Sequence, residues 1–268
     1  MHTAEAPARY VVAVGSGKGG VGKSTVAVNL ALALREGGGA VGILDADFYG
    51  PNVPQLLGLT RNSWTADWTL ARRGGAAAQP SFHPVERYGL KIASTGFILG
   101  EDQLLGIDSV TSGLLARQLV RQVRWGQLDY LVVDLPPGTA AAQQVFAREI
   151  PISGAIVVVT PQDLAHLDGR KAIQMYRQAG VPILGAVENM SGYRCPHCGE
   201  QAEFFPRVSD ERSIWALGVE SLGSLPFDPA VGGDQSAGRP ALLADPASPT
   251  ADAFREIATR VVARLTAS

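Results

Sequence analysis

The stretch Gly17-Lys18-Gly19-Gly20-Val21-Gly22-Lys23-Ser24-Thr25 constrains this chain more than any other. It satisfies the pattern G-x-x-x-x-G-K-[ST] at every specified position. Tyr10-Val11-Val12-Ala13-Val14 before it reads as a buried strand, and Ser24 to Arg35 after it reads as a helix. In that setting glycine-rich backbone wraps an anion with successive N–H groups pointing inward, and the helix N-terminus adds a favourable dipole. Glycine is needed because such a loop visits backbone angles that a side chain disfavours. The pattern assigns Lys23 to the β- and γ-phosphates of a nucleoside triphosphate and the Ser24 hydroxyl to Mg²⁺. Lys18, directly after the first glycine, puts a second cation beside the phosphates.

Bulk properties narrow the class. Of 268 residues, 46% are apolar and 18% charged, which suits a full buried core and excludes disorder. A net charge of −2 and an isoelectric point near 6.1 supply no global attraction to nucleic acid or to an anionic membrane, so neither is expected as a partner. No apolar run approaches the roughly 20 residues of a membrane span. Met1 to Arg9 is short and polar, without the apolar segment of a secretion signal, so a cytoplasmic location is expected.

From Tyr10 onward short apolar strands alternate with helices. That order predicts an α/β fold: a mostly parallel sheet with helices on both faces, formed by residues 1–268 as one unit after a tail of residues 1–9. The strand over 40–44 ends in Asp45-Ala46-Asp47, and the strand from Asp129 ends in Asp134, followed by Leu135-Pro136-Pro137-Gly138-Thr139. Acids at strand C-termini lie at the edge where open α/β sheets bind ligands. Asp134 ends an apolar strand as the metal-shell acid of a P-loop NTPase does, and the Gly138 N–H could meet a γ-phosphate. The plainer reading of these acids is turn or cap chemistry, but Asn52 ahead of Val53 offers a helix cap of its own.

Other segments read less sharply. Residues 61–84, with Trp64, Trp68, Arg72 and Arg73, read as an insertion of hairpin or loop character, and 96–111 as a loop. Ser112 to Trp125 carries Leu115, Leu119 and Val123 on one helical face. A strand over 182–188 leads into a loop from Asn189 to Tyr193. Ala253 to Ala267 has Phe254, Ile257, Ala258, Val261, Val262 and Leu265 at helical spacing, which suits a helix packed on the sheet better than one lying on a membrane.

The chain has two cysteines, Cys195 and Cys198, in the run Cys195-Pro196-His197-Cys198. In a reducing compartment a Cys-x-x-Cys favours metal or redox chemistry over a structural disulfide. Structural zinc wants four ligands, and one chain offers two thiols and His197. A thioredoxin-like pair normally opens a helix, whereas Gly199 marks a turn. Two copies across a twofold axis give four thiolates, enough for one [4Fe–4S] cluster or one zinc ion. The residues alone leave these solutions open.

Taken together, these motifs resemble a known family. Lys18 to Thr25 is similar to the deviant Walker A motif of the MinD/ParA/nitrogenase-iron-protein class of P-loop ATPases, Asp45 to Asn52 to its switch I, and Asp134 to Thr139 to its switch II. Glu188-Asn189-Met190-Ser191 followed by Cys195-Pro196-His197-Cys198 resembles the Mrp/ApbC/Nbp-type iron–sulfur cluster carrier ATPases, over nearly the whole chain. The resemblance implies a homodimer that binds and slowly hydrolyses ATP and hands a cluster to apo iron–sulfur proteins. It makes Lys18, Lys23 and Asp47 the catalytic residues, with Lys18 acting across the dimer and Asp47 orienting water. It places nucleotide on Gly17 to Thr25, Gly138 and Asn189, the last against adenine. Mg²⁺ falls to Ser24, Asp45 and Asp134, directly or through water, and the cluster to Cys195 and Cys198 in an insertion over 190–206. A ParA/MinD-like positioning ATPase and a zinc-bridged dimer are the alternatives. Two departures stand out. Ala140-Ala141 occupies the place of the family's Gly-Asp after switch II, and Phe204-Phe205-Pro206-Arg207-Val208 replaces a glycine-rich segment.

Overall fold

The computed structural model describes residues 7–60, 83–97, 106, 108–138, 141–195, 197–228, 231 and 237–267. The readings made for Trp64, Trp68, Arg72, Arg73 and Thr139 lie outside these residues. Nine strands form one sheet: β1 (Tyr10–Gly15), β2 (Val41–Asp45), β3 (Val85–Arg87), β4 (Leu90–Ser94), β5 (Tyr130–Asp134), β6 (Gly154–Val159), β7 (Ile183–Arg194), β8 (Gln201–Ala202) and β9 (Ser221–Phe227). Their order is β3-β4-β2-β5-β1-β6-β7-β8, with β9 also paired to β7. Every pairing is parallel except β3–β4 and β7–β8. The mostly parallel α/β expectation holds.

β1, β2, β5 and β6 are buried along nearly their whole length because both faces are covered. Side chains alternate between two cores, as the period of two in an extended chain requires. Val12 and Val14 of β1 join one core with α1 (Lys23–Glu36) and the C-terminal helix Pro249–Ala267. Val11 and Ala13 join the other, with α3 (Ser109–Gln122), α4 (Ala141–Glu149) and α5 (Asp163–Gln178). β1 is therefore central and wholly enclosed, and the loop that follows it emerges at the middle of the sheet edge.

Several boundaries differ from the sequence reading, each for a local reason. α3 begins three residues before Ser112, because the Asp108 carboxylate caps it by accepting the Thr111 N–H at 2.7 Å. β3 is a short edge strand with Glu86 and Arg87 exposed, too polar to show a strand period. β7 does not stop at Glu188 but runs through the residues read as a loop, to Arg194. The C-terminal helix buries Phe254, Ile257, Ala258, Val261 and Leu265 against the core, as its spacing predicts. Among the described residues no helix is long and apolar enough to cross a membrane.

Phe254 is 1% exposed and pins that helix to α1 and the sheet. Phe254→Ala is expected to lower unfolding free energy by about 3–5 kcal/mol in urea titrations. A loss below about 1 kcal/mol would show that the site collapses without leaving a cavity.

Candidate functional site

The loop after β1 is shaped by close approach as much as by ligand chemistry. A Cβ on Gly17 would lie 2.1 Å from the backbone carbonyl carbon of Asp168, so the loop can rest on α5 only as glycine. Gly20 and Gly22 hold φ of 79° and 82°, the left-handed region that glycine tolerates. The loop walls a cleft of about 420 Å³ together with Lys18, Lys23, Ser24, Thr25, Asp47, Asn52 and Pro137. Val21 is buried beneath it.

One ammonium sits among three carboxylates at the floor. Lys23 Nζ lies 2.5 Å from Asp134 Oδ1, 3.9 Å from Asp47 Oδ2, and 3.3 Å from Ser24 Oγ. Asp134 is fully buried, and its second oxygen, Oδ2, has no hydrogen-bond partner among the described residues. Burial, reinforced by the Asp134 charge and opposed by Lys23, pushes the Asp45 carboxyl well above its ordinary value of 3.8. Burial raises Asp47 as well, against the pull of Lys23. Three carboxylates at the floor thus share one ammonium, and two of them respond by holding their protons more tightly.

Asp45 corrects one sequence reading. Asn52 makes no side-chain cap; its Nδ2 donates to the Gly50 carbonyl instead. Asp45 Oδ2 caps the short helix α2 (Val53–Leu56), accepting the Val53 N–H at 3.1 Å, and also accepts the Ser94 hydroxyl at 3.0 Å. Oδ1 accepts the Asp47 N–H at 3.2 Å. Asp45 therefore fixes the turn that carries Asp47 into the cleft.

The remaining residues fall as follows. Lys18 Nζ donates to Gln162 Oε1 at 2.8 Å, at the start of α5. The Gly138 N–H donates to the Ser16 carbonyl at 3.1 Å. Buried Gln143 donates to the Pro136 carbonyl at 2.5 Å and to the Ser16 carbonyl at 3.3 Å, tying the Asp134–Gly138 turn to the phosphate loop. Asn189 is buried and donates from Nδ2 to the Val21 carbonyl at 2.9 Å. Gln143 and Gln162 were not singled out in the sequence, because a glutamine at helical spacing carries no motif.

Cys195 and Cys198 stand at the tip of the β7–β8 hairpin, half-buried and exposed respectively, as free thiols. The Cys195 N–H donates to the Glu200 carbonyl and the Gly199 N–H to the Cys195 carbonyl, both at 2.8 Å. The turn aims the Cys198 and His197 N–H groups at the Cys195 sulfur, which lowers its pKa from the ordinary 9.0. Such a turn stabilises a thiolate, the form that binds metal. Among the described residues no group of three or more His, Cys, Asp or Glu is gathered to hold a metal, so the two thiols do not make a full ligand set within one chain. β1 and β7 are linked through β6 by parallel pairings, so the phosphate loop and the hairpin leave the same edge of the sheet.

A family model of ParA type, described as the NUBPL iron-transfer P-loop NTPase, matches residues 8–262. The chain belongs to this family. It is 41% identical over 251 residues to an iron–sulfur cluster carrier protein of Pseudomonas fragi, covering 93% of this chain and 84% of that one. It is 41% identical over 266 residues to the mouse (Mus musculus) iron–sulfur cluster transfer protein NUBPL, covering 97% and 79%. The fold matches an ADP-bound nucleotide-binding protein of Archaeoglobus fulgidus at a TM-score of 0.74 and 33% identity, over 92% of this chain and 93% of that one.

Asp45 and Asp47 have folded pKa values above the unfolded value. Between the two, the folded protein holds more protons than the unfolded chain, so stability from these groups falls as pH rises through that window. Asp47→Asn removes one of them. Its urea midpoint, measured without nucleotide, is expected to fall less than wild type between about pH 4 and pH 7. Identical pH profiles would show that Asp47 titrates normally.

Proposed function

We propose that this protein is an ATP-binding and hydrolysing carrier of iron–sulfur clusters. It works as a homodimer, each protomer one ATPase unit over 1–268 with a cluster-binding insertion at 190–206. The observation that carries the reading is the exposed Cys195–Cys198 turn, thiolate-stabilised yet two ligands short, on the same sheet edge as the phosphate loop. Two protomers supply four thiolates, which suits a [4Fe–4S] cluster as cargo. The names of the relatives support iron–sulfur cargo over the positioning role.

The floor of the cleft suits Mg²⁺. Hard oxygen donors are present in Ser24, in Asp134 with its unpartnered buried oxygen, and in Asp45 acting through water. Held there, Mg²⁺ would supply positive charge against the phosphates. The chain's own residues do the rest. Lys23 holds the carboxylates in check while the cleft lacks a ligand, and turns to the β- and γ-phosphates when one enters. The glycine N–H groups from Gly17 to Gly22, with Ser24 and Thr25, cradle the phosphates. Asp47 lines the cleft and orients the water whose oxygen attacks the γ-phosphorus as ADP leaves. Lys18 exchanges Gln162 for nucleotide phosphate across the dimer. Gly138 exchanges the Ser16 carbonyl for the γ-phosphate, and Asn189 sits beside adenine. Closure through Lys18 alters the spacing of the two hairpins, so nucleotide and cluster affinities are linked and delivery to apo iron–sulfur proteins follows nucleotide state.

The test is anaerobic purification with iron, sulfide and zinc analysis and a visible spectrum. Wild type is expected to reconstitute as a coloured protein. Cys195→Ser and Cys198→Ser are expected to lose the cluster and keep nucleotide binding; Lys23→Ala is expected to lose at least about tenfold in nucleotide affinity, roughly 1.4 kcal/mol, and keep the cluster. A colourless dimer holding zinc that resists reconstitution would overturn the carrier reading.

A further inference from the structure

β7 is both a wall of the phosphate loop and the stem of the cysteine hairpin. Asn189, inside β7, makes the contact to the loop through the Val21 carbonyl. The fit is close: a Cβ on Gly22 would fall 2.2 Å from Asn189 Nδ2. The next residue, Met190, has φ of 57°, the left-handed region that a residue with a side chain enters at a cost. At that point β7 parts from β9. Asn189 pairs with Leu225 and Tyr193 with Phe227, so residues 190–192 stand opposite Pro226 alone. Pro226 has no N–H to give the ladder, which explains the break. Ser191 Oγ bonds to the Leu225 carbonyl at 3.1 Å instead. Beyond the break β7 pairs with β8 over Tyr193–Ala202 and Arg194–Gln201 and presents Cys195.

We propose that Asn189 and Met190 are positioning residues that link phosphate-loop occupancy to the cysteine turn within a single protomer. The inference rests on the nucleotide and thiolate assignments above but not on dimer closure. Backbone that re-forms around phosphates moves the Val21 carbonyl, and Asn189 follows it. The segment 190–192 makes no residue pair with β9, so β7 can turn there at the cost of the single Tyr193–Phe227 pair beyond it. A left-handed residue with a Cβ restricts that rotation to few angles, so the motion reaches Cys195 and is not dissipated at the kink.

The probe is Mg²⁺-ADP, applied to cluster-free protein whose monomer state is verified by sedimentation. Alkylation of Cys195 and Cys198 by iodoacetamide is followed by mass spectrometry, and affinity is measured separately with a fluorescent ADP. Saturating nucleotide is expected to change the wild-type alkylation rate at least about fivefold, the lower end of measured couplings. Met190→Gly is expected to bind ADP as wild type does and to lose most of the change, since glycine leaves the kink free to turn. Met190→Asn, which enters the left-handed region readily and keeps a Cβ, is expected to retain it. Asn189→Ala, measured at saturation for its own affinity, is expected to lose it. A wild-type effect that survives in both Asn189→Ala and Met190→Gly overturns the proposed route. So does an effect seen only in dimers, or none at all in protein that binds ADP. Failure of wild type to bind ADP would instead overturn the nucleotide assignment beneath it.

Discussion

One buried ammonium holds the centre of this molecule together. Lys23, the first residue of α1, faces Asp45 and Asp134 at the ends of β2 and β5 and Asp47 just beyond β2, and its 2.5 Å contact with Asp134 ties the start of α1 to the end of β5. Burying carboxylates is costly without compensation. Here the compensation is partial: Asp45 and Asp47 are pushed toward their protonated forms, and one oxygen of Asp134 has no partner. The arrangement folds while remaining electrostatically unfinished. On the function proposed above, a ligand that brings its own cation would complete it, and the groups that limit stability without nucleotide would then favour binding.

The rest of the site is organised around that unfinished charge. Asp45 gives its carboxylate to the start of α2 and to Ser94, which sets Asp47 at the cleft wall. Gln143 ties the turn after Asp134 to the backbone of the phosphate loop, and Gln162 holds Lys18. Phosphate would compete for the Gly138 N–H and the Lys18 ammonium, both now held by protein oxygens, so ligand entry exchanges bonds instead of creating them in empty space.

What could be read from the sequence was what has a fixed spacing. The phosphate loop, the acids closing β2 and β5, and the cysteine pair are local patterns whose chemistry demands particular neighbours along the chain. The alternation of apolar strands and helices gave the sheet. The misses share a cause as well. Asp45 as the α2 cap, Gln143 and Gln162 depend on partners 8, 7 and 144 residues away, chosen by packing and not by spacing. The extension of β7 to Arg194 was hidden because Asn189 to Tyr193 is polar and glycine-bearing, and reads as a loop unless β9 and β8 are known to lie beside it.

The hairpin that carries Cys195 and Cys198 has a thermodynamic consequence. Two residue pairs close it on itself, and one pair beyond the Pro226 break with ring contacts of Tyr193 and Phe204 to Phe227 hold it to β9; among the described residues none of its members is in either apolar core. Regions built this way open at free energies far below that of global unfolding. The turn that bears the thiols can therefore open locally at lower cost than the two cores. Damage or exchange at the sulfurs is insulated from the stability of the enzyme that presents them.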